Sequence, residues 1–316
     1  MTTWLITGAH GFLGRHVMSA ARNLGHAAIG LDRVEIPTAG DSHHHRVDLE
    51  SGDGLDQALA RINPDVIVHA AGRTPPASTR DFYRANVLTT TRLLEAVARR
   101  ERPPRVVLVG SAAEIGPLPE SLLPVSESCP CRPIDSYGLS KWAATQLGLS
   151  VPPPLQVVVG RIFNLTGPGL PTGQAFGRFA HELAQARMAG ATSPISLHAG
   201  GLDTRRDFID VRDAADALIA LGLRGRPGTL YHIASGQSHA IADGLEILAA
   251  LSGLQVQTSL RPHPRAGAAD SRAEITRIYQ HTAWRPKISL QTSLTDLWTE
   301  ALRHARLTHT GPRRVA

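Results

Sequence analysis

Thr7-Gly8-Ala9-His10-Gly11-Phe12-Leu13-Gly14 is the stretch whose reading decides the fold. Trp4, Leu5 and Ile6 precede it as the core of a short apolar strand, and residues 11–24 continue it in a helical pattern. Glycines between a strand and a helix let the backbone approach a pyrophosphate, whose charge the helix N-terminus favours. A glycine triplet alone is weak evidence. Placed after the first strand and at the opening of the first helix, it reads as a dinucleotide cradle that includes Gly8, His10, Gly11, Phe12, Leu13 and Gly14.

Working outward, short apolar runs alternate with helical periods. Strands are expected at 4–7, 27–31, 46–49, 66–69, 106–109 and 156–161, and helices at 11–24, 55–62, 82–100 and 136–149. Such alternation predicts an α/β fold, a Rossmann-type doubly wound parallel sheet with helices on both faces. After Asn164 the pattern loosens into Gly/Pro loops, with helices expected at 176–188, 213–223, 241–251 and 290–304 and a strand at 195–198. The expected division is a dinucleotide-binding domain of 1–165 plus about 205–232, and a smaller interleaved C-terminal lobe of about 166–204 plus 233–316.

Open sheets of this kind bind ligands at the carboxyl ends of their strands. Asp32 ends the second strand, where an acid accepts from a ribose 2′-hydroxyl and repels a 2′-phosphate. That favours NAD(H), while the adjacent Arg33 leaves NADP(H) open. Asp48-Leu49 ends the third strand, within reach of an adenine amino group. Ala70-Ala71-Gly72 follows the fourth, small enough for a cofactor to lie on the backbone.

Tyr137 and Lys141 stand four apart, so on a helix they share one face. A cation there is expected to lower the phenol pKa and let it pass a proton. Lysine is otherwise confined to Lys287 in a chain that prefers arginine, which points to a task needing a compact ammonium. Ser111, after the fifth strand, is placed to align a reacting oxygen with Tyr137.

Bulk properties fit an enzyme of this size. The chain has 316 residues, 42% hydrophobic and 19% charged, enough apolar content for a full core. It carries a net charge of +6, but its basic residues are dispersed, so a basic cleft for an anionic small molecule is expected rather than nucleic acid. No apolar run reaches the length of a membrane span and no signal-peptide pattern opens the chain, so the cytoplasm is the expected compartment. Cys129 and Cys131 read as loop cysteines, and His43, His44 and His45 as a solvated polar turn; no metal site is expected.

Together these residues resemble the extended short-chain dehydrogenase/reductase family, the nucleotide-sugar epimerases, dehydratases and reductases. The resemblance extends through Asn86-Val87-Leu88, Arg161 to Gly169, Arg206 to Asp213, Tyr231 to Gly236 and Trp284-Arg285-Pro286. Within the family the likeness is strongest to reductases of GDP-4-keto-6-deoxy-mannose. It implies reduction of a nucleotide-linked 4-keto-6-deoxyhexose, with Ser111, Tyr137 and Lys141 catalytic and Asn86 at the cofactor. It further implies Asn164, Arg206 and Arg261 at the substrate diphosphate. A homodimer through a four-helix bundle is implied too. A 4-epimerase holding NAD tightly is the alternative, and a non-catalytic dinucleotide sensor a further one.

Three positions depart from the family pattern. Ala113 stands where the dehydratases carry an acid, Ile115 where tyrosine is usual, and Leu165 where many reductases have histidine. The first argues against 4,6-dehydration. The other two lead one to expect a more apolar sugar pocket.

Overall fold

The computed structural model describes residues 1–34, 43–192, 194–260 and 270–309. In its first half β1 (Thr3–Thr7), α1 (Phe12–Asn23), β2 (Ala27–Asp32), β3 (His44–Arg46), α2 (Leu55–Ile62) and β4 (Val66–His69) alternate as expected. They are followed by α3 (Thr79–Phe82), a π-helical turn (Tyr83–Leu88), α4 (Thr89–Ala98), β5 (Arg105–Ser111), α5 (Ser136–Leu149), β6 (Val157–Ile162) and β7 (Asn164–Thr166). The remainder comprises α6 (Ala175–Met188), β8 (Ile195–Ala199), β9 (Arg205–Asp210), α7 (Val211–Arg224), β10 (Thr229–Ile233) and β11 (Ser238–Ala240). It closes with α8 (Ile241–Ser252), β12 (Val256–Leu260), α9 (Thr276–Thr282) and α10 (Leu290–His309).

Seven parallel strands form the central sheet in the order β10-β6-β5-β4-β1-β2-β3. Period-two burial explains why both faces are covered. Trp4, Ile6, Val66, Val68, Val107 and Val158 pack toward α1 and α7. Leu5, Ile67, Val106, Leu108, Val157 and Val159 point the other way, toward α2 and α4. The strand order reverses between β1 and β4, which opens a crevice at their carboxyl ends. A third apolar cluster, built on Phe176, Phe179, Leu183, Leu248, Leu294 and Trp298, holds α6, α8 and α10 together as a second layer of packing. Beside it β11-β9-β7 and β12-β8 form two small sheets.

Several expectations on the elements need correction. The third strand is His44–Arg46 rather than 46–49, because the chain turns at Asp48, whose carbonyl accepts from Gly52 N–H. His44 and His45 therefore lie in a strand and not in a polar turn. The long helix expected at 82–100 is interrupted by the π-helical turn at 83–88. The strands β9, β10 and β11 escape the sequence pattern because polar residues interrupt their apolar alternation.

Candidate active site

At the reversal point the backbones of β1 and β4 come into contact. A Cβ on Gly8, whose φ is +66°, would lie 2.8 Å from Ala71 Cα, and one on Gly14 would lie 2.0 Å from Gly8 O. Only glycine fits either position. Thr7 fastens the two strand ends: its hydroxyl accepts from Ala71 N–H at 3.1 Å and is paired with His69 Nδ1 at 2.8 Å. The groove above them, about 340 Å³, is lined by Gly8, His10, Gly11, Asp32 and Arg33. Asp48 and Leu49 beyond β3, and Ala70, Ala71 and Gly72 beyond β4, line it as well. A glycine floor that a Cβ would fill, a helix N-terminus beside it and an acid at the end of β2 suit a dinucleotide.

The side chains of the remaining residues of the expected cradle are engaged by protein. Phe12 packs into the second-layer cluster, and Leu13 against the sheet core. Asn86 is 2% exposed, and its amide is engaged by protein: Oδ1 accepts from Arg73 N–H at 2.8 Å, while Nδ2 donates to Arg73 O at 3.2 Å and Ser140 Oγ at 2.9 Å. The π-helical turn is what aims Asn86 inward, and the side chain braces the loop after β4 against α5.

The chemistry-bearing residues converge at the ends of β5 and α5. Asp135 caps α5 by accepting from Gly138 N–H at 2.7 Å. Gly138 lets the helix start press onto the turn after β5, since a Cβ there would sit 2.4 Å from Ala113 O. This close approach sets the Tyr137 phenol beside Ser111. Burial pushes the phenol pKa up, the Ser111 hydroxyl draws it down, and the charges of Glu114 and Asp135 raise it further. The expectation that Lys141 sets this value is thereby corrected: desolvation dominates. Burial lowers the Lys141 ammonium, which donates to Val109 O, and the Glu114 charge opposes that fall.

Glu114 is fully buried. Its carboxylate accepts from Ser111 N–H at 2.7 Å and Thr145 Oγ at 3.0 Å, and from Arg161 Nη2 at 2.9 Å and Nε at 3.1 Å. It faces away from the site, beneath the serine. Sequence reasoning missed this pair, although a signal existed: an arginine inside the buried run Val157–Ile162 demands a partner. Ile115 is 4% exposed and packs with Val125, Phe163 and Ala273, so it belongs to an apolar cluster behind the site rather than to a sugar pocket. Leu165 packs against the sheet core. Cys129 and Cys131 form no disulfide.

Asn164 donates to Asp207 O at 3.1 Å, and Asp207, also missed, accepts from Ser235, Gly236 and Ala273 N–H groups and from the Ser235 hydroxyl. These bonds gather β9 and the segments at 235–236 and 273 into one wall. Arg206 stands on that wall, its Nη1 donating to Arg205 O at 2.7 Å, and the Asp270 charge offsets part of the effect of burial on its guanidinium. Arg261 lies outside the described residues. No helix among the described residues is long and apolar enough to cross a membrane.

Comparison with known proteins agrees with this geometry. Residues 4–234 match the model of the NAD dependent epimerase/dehydratase family. GDP-6-deoxy-D-mannose reductase of Pseudomonas aeruginosa is 31% identical over 297 residues, covering 92% of this chain and 93% of its own. UDP-glucose 4-epimerase of Azospirillum brasilense is 30% identical, covering 90% of this chain and 87% of its own. The solved structure of RMD from Pseudomonas aeruginosa complexed with NADPH superposes with a TM-score of 0.83 at 28% identity, covering 96% of this chain and all of that one.

Proposed function

The chain belongs to the NAD dependent epimerase/dehydratase family, and we propose that within it the protein reduces the 4-keto group of a nucleotide-linked 6-deoxyhexose. It is an NAD(P)-dependent enzyme acting on nucleotide sugars. The observation that carries the reductase reading is the site's carboxylate inventory. Ala113 occupies the position from which a dehydratase acid would work, and the neighbouring Glu114 is fully buried with both oxygens engaged. Among the described residues of this turn no carboxylate is free to take the proton next to a carbonyl, whereas the groups needed to reduce one are at hand.

Tyr137, kept protonated by burial, donates its proton to the oxygen of the forming alkoxide. Ser111 holds that oxygen by its hydroxyl and so aligns it with the phenol. Lys141, on the same helical face one turn on, presents a positive charge to the ribose side and offsets the negative charge left on the phenol once its proton is given up. Gly8, Gly11 and Gly14 receive the pyrophosphate, and Asp32 faces the adenosine ribose. Asn164, Arg206 and Arg261 are assigned to the sugar diphosphate. The hydride itself comes from the reduced nicotinamide when the dinucleotide is bound.

We divide the chain into a dinucleotide-binding domain of 1–165 plus about 205–232 and a sugar-nucleotide lobe from the rest; the apolar cluster of α6, α8 and α10 supports the lobe, and Ile278 and Trp284 tie it to the sheet core. A homodimer through α4 and α5 is supported by Tyr83, Leu88 and Leu139, which are exposed on that side. The cytoplasm, where reduced dinucleotide is regenerated, is the compartment this reading requires.

The test is incubation with GDP-, dTDP- and UDP-linked 4-keto-6-deoxyhexoses and NADH or NADPH. Loss of reduced-nicotinamide absorbance with formation of the 6-deoxyhexose supports the reading. Interconversion of 4-hydroxy epimers without net cofactor consumption replaces it with the epimerase.

A further inference from the structure

The Glu114–Arg161 pair is a costly feature to bury, since taking two charges out of water costs on the order of what their attraction returns. Stability alone is a poor reason for it. Its position is specific. The carboxylate lies directly under the residue that carries the reacting hydroxyl, and its shortest bond, 2.7 Å, is to the Ser111 backbone N–H. Even the glycine before that serine is shaped to it: a Cβ on Gly110 would stand 2.7 Å from Glu114 Oε1. Arg161 grips the other oxygen with two nitrogens and is itself held by Cys131 Sγ at 3.1 Å and His232 Nε2 at 3.4 Å. The carboxylate is thus immobilised from β6 and β10, and Thr145 ties it to α5.

We propose that Glu114, clamped by Arg161, is a positioning residue for the reaction: through the Ser111 N–H it fixes where the Ser111 hydroxyl stands against the Tyr137 phenol. Two further contacts make the positioning directional. Ser111 is in extended backbone and its Oγ accepts from Ala113 N–H at 3.3 Å. With the N–H taken from below and one lone pair of Oγ taken from the side, the hydroxyl is left to meet the phenol.

Glu114 also supplies a charge that both neighbours feel. It favours the protonated forms of Tyr137 and Lys141. The other ionisable groups around them are Asp135 at the start of α5, Arg161 on β6, His69 on β4 and His232 on β10. Asp135 likewise favours the protonated phenol; His69 is held neutral, its pKa lowered to about 3. A reductase needs its tyrosine as an acid, and a buried carboxylate nearby keeps the proton on it until the alkoxide forms.

The inference rests on the oxidoreductase reading of Tyr137, so the test includes a measurement that needs no substrate. In protein carrying 13C-labelled tyrosine, four phenol signals are expected, and Tyr137→Phe identifies one of them. Glu114→Gln keeps the shape and an acceptor oxygen but removes the charge; the Tyr137 titration then moves to lower pH. Glu114→Leu/Arg161→Met removes both ions at similar volume, a change that folded proteins commonly tolerate. In it kcat falls about 100-fold, the scale of a misplaced reacting group, while KM for the nucleotide sugar and dinucleotide affinity stay unchanged.

Because the effect runs through the serine, it disappears on a Ser111→Ala background. An unmoved phenol titration in Glu114→Gln overturns the proposal, and so does an equal loss of kcat with and without Ser111. If the double variant does not fold, the titration decides alone. A wild-type protein inert toward every keto sugar sinks the functional reading but leaves that titration as judge of this one.

Discussion

The Asp32 carboxylate accepts a hydrogen bond from the His10 backbone N–H at 3.2 Å, and the His10 ring nitrogen Nδ1 stands 3.6 Å from the same oxygen. The acid at the end of β2 is thereby tied to the glycine turn. The His10 ring stacks on His44, centroids 4.6 Å apart, and closes that end of the groove. Arg33 lies alongside, 3.9 Å from Glu50. The ribose end of the groove therefore holds the Asp32 carboxylate in a fixed place beside Arg33, with Asp48 and Glu50 also on the lining. In Asp32→Ala the balance moves toward the phosphorylated dinucleotide, with the NADP(H)/NAD(H) affinity ratio rising about tenfold, or ~1.4 kcal/mol. Titration of both dinucleotides by calorimetry measures it; an unchanged ratio removes Asp32 from cofactor choice.

The glycine floor gives a second expectation. Gly14→Ala places a methyl 2.0 Å from Gly8 O, between two stretches of backbone. The turn must open, at a cost of about 1–3 kcal/mol in stability. Thermal melting reads that cost, and loss of the melting shift that NAD gives wild type reads the damage to the cradle.

Tyr137→Phe removes the phenol hydroxyl while the Phe82 ring, 5.5 Å away, keeps its packing partner. Turnover drops about 10²–10⁴-fold, the range of a lost general acid, with dinucleotide affinity retained. Steady-state kinetics beside a binding titration checks both halves. Full turnover in this variant would dismiss the catalytic assignment.

Acid sensitivity follows from two buried imidazoles. Burial lowers the pKa of both His69 and His232 to about 3. In the unfolded chain each binds a proton below about pH 6.5. The unfolded state then holds more protons, so stability is full above that pH and declines as pH falls toward 3. The slope is about 1.4 kcal/mol per pH unit for each histidine. Urea unfolding between pH 7 and 5 measures the decline, and His232→Gln makes it shallower. An identical slope in that variant rejects the account.

A charge on the outer face of α5 tests assembly. Leu139 is 40% exposed there. Leu139→Arg yields monomer by light scattering at micromolar concentration, against a dimer for wild type. A monomeric wild type denies the four-helix arrangement.

The sequence by itself determined the sheet and the position of its ligand groove. Trp4 to Gly14 and the buried runs at 66–69 and 106–109 are local patterns, and strand period, glycine and the following helix are legible without any distant partner. It also singles out Ser111, Tyr137 and Lys141 as candidates, because their spacing is fixed by one strand end and one helical turn. What only the tertiary structure decided are the roles that depend on distant residues meeting. Asn86 braces α5 through Ser140, Ile115 fills an apolar cluster with Val125 and Phe163, and Glu114 reaches across 47 residues to Arg161. Burial sets the Tyr137 phenol more strongly than the lysine four residues on. Desolvation and long-range pairing are properties of packed chain, and no local spacing encodes them.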